Sequence, residues 1–108
     1  MSLSALRGRF VLLDFWTSGC INCLHVLDEL RPLEQHWADV LTVVGVHSPK
    51  FPHEGEPAAL EAAVQRYGVT HPVLNDRDMR TWDAYAARAW PTLVLIDPRG
   101  SIIARYAG

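Results

Sequence analysis

Apolar residues along this chain fall into two kinds of stretch: short dense runs, and longer segments in which they recur every three or four positions. Phe10 to Trp16 (FVLLDFW) is a dense run rich in β-formers, with Asp14 its only charged residue. Such runs become central strands covered on both faces. Ser18 and Gly19 break it. Cys20 to Trp37 then predicts a helix, because Leu24, Leu27, Leu30 and Leu33 recur at three-residue spacing. Pro32 lies inside that helix and predicts a kink.

Val40 to His47 is a second dense run and a second buried strand. Ser48 to Pro57, with its prolines and glycine, predicts an irregular stretch. A helix over Ala58–Tyr67 should stop at Gly68, and Pro72–Leu74 is a very short extended piece. Met79 to Ala89, carrying Trp82 and Tyr85, predicts a third helix. Thr92 to Ile96 reads as a strand, Asp97–Gly100 as a tight turn, and Ser101 to Tyr106 as the returning strand. Strands and helices alternate at first and a hairpin closes the chain, so pairing should be parallel early and antiparallel late. The fold class is α/β, a central mixed sheet flanked by helices, and residues 1–108 read as one domain.

Composition narrows the function. With 49% hydrophobic and 20% charged residues, the chain has the balance of a soluble globular protein. A formal net charge of −2 and scattered basic residues exclude a nucleic-acid footprint. The apolar runs are far too short for a membrane helix, so no direct membrane insertion is expected. Met1 to Arg9 shows no secretory signal, and both cysteines sit in one motif; a reducing, cytoplasmic setting is the expectation.

That motif carries the chemistry. Cys20-Ile21-Asn22-Cys23 follows a buried strand at the point where a helix begins, the setting of a redox pair. Cys20 falls at the first helical turn, where free N–H groups and the macrodipole favour negative charge. Three positions further on, Cys23 shares its face and lies deeper, as a resolving thiol should. Asp14 is costly in an apolar strand unless it has a role; burial raises the pKa of a carboxyl, which suits proton exchange with Cys23. An outward-turned Asp at a strand end is the plainer alternative. Trp90-Pro91-Thr92 precedes a strong strand, and bulk statistics (about 5–6% cis for X-Pro bonds) favour a trans Pro91.

Asp14-Phe15-Trp16, Cys20-x-x-Cys23 and Pro91-Thr92 together resemble thioredoxin along nearly the whole chain. The resemblance implies a thioredoxin fold with Cys20 as nucleophile, Cys23 as resolving cysteine and Asp14 as buried acid or base. It also implies a cis Pro91 facing the disulfide, Trp16 packed beside it, and Trp16, Trp90, Pro91 and Thr92 contacting substrate. The segments from Trp16 to His25, from Val44 to Phe51 and from Thr70 to Val73 are similar to the thioredoxin-like domain of NHL-repeat-containing proteins, where a β-propeller follows. A related pattern occurs in membrane-linked thiol-disulfide oxidoreductases. The implied function is exchange with protein disulfides through the Cys20–Cys23 disulfide itself, with no other cofactor, no metal, and an unidentified electron donor. Departures are Ile21-Asn22 between the cysteines, Gly19 in place of a tryptophan, Asp28 where thioredoxin has its helix proline, and no helix after the last strand. The last predicts an under-covered, apolar sheet surface near the end.

Other readings fit less well. A zinc site needs about four ligands, and Cys20, Cys23, His25 and His47 would have to converge. Haem attachment needs His directly after Cys23, where Leu24 stands. A peroxidase would share the Thr17-x-x-Cys20 spacing but lacks a proline at Leu13. The substantial rival is a redox-silent interaction module of a larger protein. His25 reads as a helix-face residue, and His47 as lying near the site or ordering the following loop. Trp37, Trp82 and Tyr85 read as core aromatics, and Lys50 and Glu54 as solvated loop charges.

Overall fold

The computed structural model describes residues 6–107. Eight elements follow one another: β1 (Phe10–Trp16), α1 (Ile21–His36), β2 (Leu41–His47), α2 (Pro57–Arg66), β3 (Val73–Asn75), α3 (Arg80–Ala84), β4 (Thr92–Ile96) and β5 (Ile102–Ala107). They build one five-stranded sheet in the order β3-β2-β1-β4-β5. β1 pairs with β2 in parallel, setting Asp14 opposite Gly45, and β2 pairs with β3 in parallel. β4 runs antiparallel to β1 and β5 antiparallel to β4. This is the mixed sheet the pattern predicts.

Alternation along β1 divides its side chains between two cores. Val11, Leu13 and Phe15 join Val44, Val46, Val94 and Trp82 on the face carrying α3. Trp16 joins Cys23, Leu27, Leu60 and Ala63 on the face carrying α1 and α2. Truncating a buried leucine such as Leu27 to alanine costs about 2–5 kcal/mol in lost transfer energy and cavity.

Helix α1 runs through Pro32 without a break, with Cys20 as N-cap and Trp37 as C-cap. Trp37 is not a core aromatic: it is 49% exposed, because the chain turns back towards β2 at the helix end. Arg9 fastens that turn. Its guanidinium donates to Thr42 Oγ1 at 2.8 Å and to the carbonyl of Ala38 at 2.6 Å. Gly68, at φ +61°, ends α2 in the left-handed region, and Arg31 donates to the free carbonyls of Tyr67 and Gly68.

The third helix is much shorter than the 79–89 segment predicts. Met79 and Ala86 both adopt positive φ, at 62° and 55°, which confines α3 to Arg80–Ala84. The Asp76 carboxylate satisfies the helix start, accepting the N–H groups of Thr81 and Trp82 at 2.9 Å each. Residues 48–57 are not wholly irregular either, since Pro52–Gly55 form a 3₁₀ turn. At the far edge all of β5 is exposed, with Ile102, Ile103 and Tyr106 about half open to solvent (48%, 52% and 59%). This is the apolar surface expected near the end of the chain.

Candidate redox site

The strand-to-helix turn after β1 presents the two sulfurs unequally. Cys20 keeps an extended backbone, and its Sγ accepts the Cys23 N–H at 3.3 Å, so the sulfur itself caps the helix. It is partly exposed, whereas Cys23 is fully buried beside Trp16 and Leu27. Burial pushes the Cys23 thiol well up, its hydrogen bond with Cys20 adds to this, and the charges of Cys20 and Asp14 push the same way; only a hydrogen bond with the Thr17 backbone opposes them. Cys23 therefore rests as a thiol and needs a proton acceptor before it can attack.

Asp14 is the carboxyl whose charge reaches this thiol. It is fully buried, and neither carboxylate oxygen has a hydrogen-bond partner. Desolvation, reinforced by the charge of Glu34, raises its pKa to about 7. Asp14 is thus turned inward, not outward.

Trp90 closes the site from the other side. Its carbonyl oxygen lies 3.8 Å from Cys20 Sγ, its indole Nε1 donates to Ser48 O at 2.7 Å, and its ring stacks on Trp82 at 4.3 Å. The Trp90–Pro91 bond is cis, as the resemblance implies and against the bulk statistics. Trp16, Pro91 and Thr92 are all buried. Trp16 packs edge-on against His47 at 4.8 Å, and Thr92 Oγ1 donates to Ala89 O at 2.7 Å. They shape the walls of the site from behind.

His47 orders the loop before α1, not the one after β2: its Nε2 accepts the Ser18 N–H at 3.1 Å. Burial lowers its pKa, so the neutral ring that accepts this bond is favoured. His25 is on the exposed helix face.

Glu54 corrects the reading of a solvated charge. It is 6% exposed and reaches under the cysteine loop, where its Oε1 accepts the Thr17 hydroxyl at 2.6 Å and the N–H groups of Lys50 and Phe51 at 3.2 Å each. Burial alone would raise its pKa; the bonds from Thr17, Phe51 and Lys50, with the neighbouring His47, outweigh it and hold the carboxyl below its usual value. A Cβ on Gly19 would meet Glu54 Oε2, so a larger residue before Cys20 would have to displace the end of the Glu54 side chain. Charge in a proline-rich loop gave no hint of this, since Thr17 stands 37 positions away in the chain.

A family model described as thioredoxin-like matches residues 8–102. The chain belongs to the thioredoxin-like family. It is 45% identical over 105 residues to NHL repeat-containing protein 2 of Gallus gallus, spanning 95% of this chain and 14% of that protein. It is 31% identical over 103 residues to thiol-disulfide oxidoreductase ResA of Geobacillus thermodenitrificans, spanning 93% of this chain and 55% of that one. Among solved structures, a thioredoxin-like protein in its oxidised form superposes with a TM-score of 0.90 at 24% identity, covering 100% of this chain and 74% of that one. The fold is that of thioredoxin, and its relatives include named thiol-disulfide oxidoreductases.

Proposed function

We propose that the chain is a thiol-disulfide oxidoreductase working through Cys20 and Cys23. The observation that carries this reading is the unequal pair on one helical turn: an accessible sulfur held at the helix N-terminus, 3.3 Å from the N–H of a buried second cysteine. The Cys20 thiolate attacks a substrate disulfide, forming a mixed disulfide and expelling one substrate thiolate. Cys23 then gives its proton to Asp14 and attacks Cys20 Sγ. The second substrate thiolate leaves and the Cys20–Cys23 bond forms. Two electrons pass from the dithiol to the substrate, and an external thiol donor restores the dithiol. The Trp90 carbonyl and the wall behind it would face the substrate chain.

Protein disulfides are the proposed substrates, and an NHL β-propeller is the proposed neighbour in a longer polypeptide, supported by the NHL-repeat relative. Cysteine usage alone supports a cytoplasmic setting. Equilibration against a glutathione series, reading the Cys20–Cys23 state, tests the function. A reversible two-electron transition is expected, lost in Cys20→Ser and Cys23→Ser, with mixed disulfides trapped by Cys23→Ser. A chain whose cysteines stay unlinked across the series would instead favour the redox-silent interaction module.

A further inference from the structure

Asp14 receives a proton in the centre of the fold and must return it to solvent. In β2 its register partner is Gly45, and paired positions share a face of the sheet. Two buried nitrogens converge over that glycine. A Cβ on Gly45 would stand 3.1 Å from Trp16 Nε1 and 3.2 Å from His71 Nε2, and neither nitrogen has a hydrogen-bond partner. His71 is held from its other side. Its Nδ1 lies 2.7 Å from Glu34 Oε1, its side chain is 6% exposed, and that of Glu34 is 20% exposed. A carboxylate can only accept here, so Nδ1 is the donor, and in the neutral ring Nε2 is then a lone-pair acceptor over Gly45. Glu34, on α1, is also the residue whose charge reaches Asp14.

We propose that the His71–Glu34 pair is the route by which Asp14 exchanges its proton with solvent, and that Gly45 keeps the passage open. The inference rests on the exchange reading given under Proposed function. When Cys23 attacks, its proton moves to Asp14. Asp14 and His71 Nε2 are not hydrogen-bonded to each other, so the proton crosses to Nε2 through one water admitted beside Gly45, and the imidazolium so formed is held by the Glu34 carboxylate. The proton leaves at the solvent edge of Glu34, restoring neutral His71 and ionised Asp14. The titratable groups whose charges couple to Asp14 are Glu34 and Cys23; His71 Nε2 lies over Gly45, the register partner of Asp14. His71 acts through Asp14 and is a positioning residue, not a catalytic one.

The 108-residue chain with Ellman's disulfide, one equivalent, tests this by stopped flow. The first nitrothiobenzoate release reports attack by Cys20 and the second reports resolution by Cys23. At pH 7, His71→Gln and Glu34→Gln are expected to slow the second release about tenfold or more, within the range of positioned proton transfer, and to leave the first unchanged. In an Asp14→Asn background His71→Gln should add nothing. Carbon-13 titration of the Asp14 carboxyl should show its midpoint falling in Glu34→Gln. A wild-type second release in Glu34→Gln, whose partly exposed helix position secures folding, overturns the proposal. So does equal slowing by His71→Gln with and without Asp14. A wild-type chain with no second release sinks the oxidoreductase reading and the relay with it, while the titration still reports separately whether Asp14 and Glu34 are coupled.

Discussion

Thr17 and Glu54 are joined by a buried hydrogen bond, Oγ1 to Oε1 at 2.6 Å, that ties the loop after β2 to the turn carrying Cys20. The same carboxylate also holds two backbone N–H groups of its own loop. Removing it leaves three donors without their charged acceptor. Glu54→Ala is expected to destabilise the fold by about 2 kcal/mol, the scale of a hydrogen bond to a charged group. Because the folded carboxyl sits below its unfolded value of 4.5, this contribution is present above that value and fades as pH falls through the folded one. Urea unfolding of wild type and Glu54→Ala at pH 7 and at acid pH checks both: the gap should narrow in acid.

Asp14 behaves in the opposite sense. Its folded pKa of about 7 lies above the unfolded 3.8, so the folded state binds the extra proton between them. Stability therefore falls as pH rises across that window, by on the order of 4 kcal/mol from this group. Asp14→Asn should raise the urea midpoint at pH 8 and change it little near pH 4, while slowing disulfide exchange. An unchanged midpoint at pH 8 would show that the carboxyl is not held against its charge.

Asp76 gathers three separate segments. Its oxygens accept from Ser48 Oγ at 2.7 Å and from the N–H groups that begin α3. Asp76→Ala strands buried donors and should cost about 2–3 kcal/mol. Ser48 also holds the Trp90 indole, so the loss should reach the redox site. Thermal unfolding paired with Trp fluorescence would detect it; an unshifted emission spectrum would argue that Trp90 is held independently.

The exposed edge strand makes a prediction of its own. With Ile102, Ile103 and Tyr106 about half open, β5 offers both unpaired backbone groups and apolar side chains. The 108-residue chain should bind an apolar dye and self-associate at raised concentration. Ile103→Lys should reduce both, as read by dye fluorescence and sedimentation. Equal behaviour of the two chains would place the sticky surface elsewhere.

The sheet and α1 were legible because their signals are strong and local. Apolar runs such as Phe10–Trp16 can hide only between layers, and leucines at three-residue spacing mark one face of a helix. The cysteine pair was legible for the same reason, its spacing and its position after a strand. α3 was misread because Trp82 and Tyr85 give a helical pattern that two left-handed residues override, and nothing in Met79 or Ala86 advertises that conformation. The burial of Glu54 and the His71–Glu34 pair were missed because Thr17 and Glu54, and His71 and Glu34, each stand 37 residues apart. A carboxylate in a proline-rich loop looks solvated until Thr17 and Gly19 are set against it.

Gly19 and Glu54 also constrain how this loop can change over time. Since a side chain at position 19 would meet Glu54 Oε2, bulk there would push on the carboxylate that anchors the turn. Either the Glu54 side chain shifts to make room, straining its bonds to Thr17, Lys50 and Phe51, or a shorter residue at 54 relieves the contact and gives up that anchoring. On either route, bulk gained next to the nucleophile is exchanged for a looser hold on the turn that carries it.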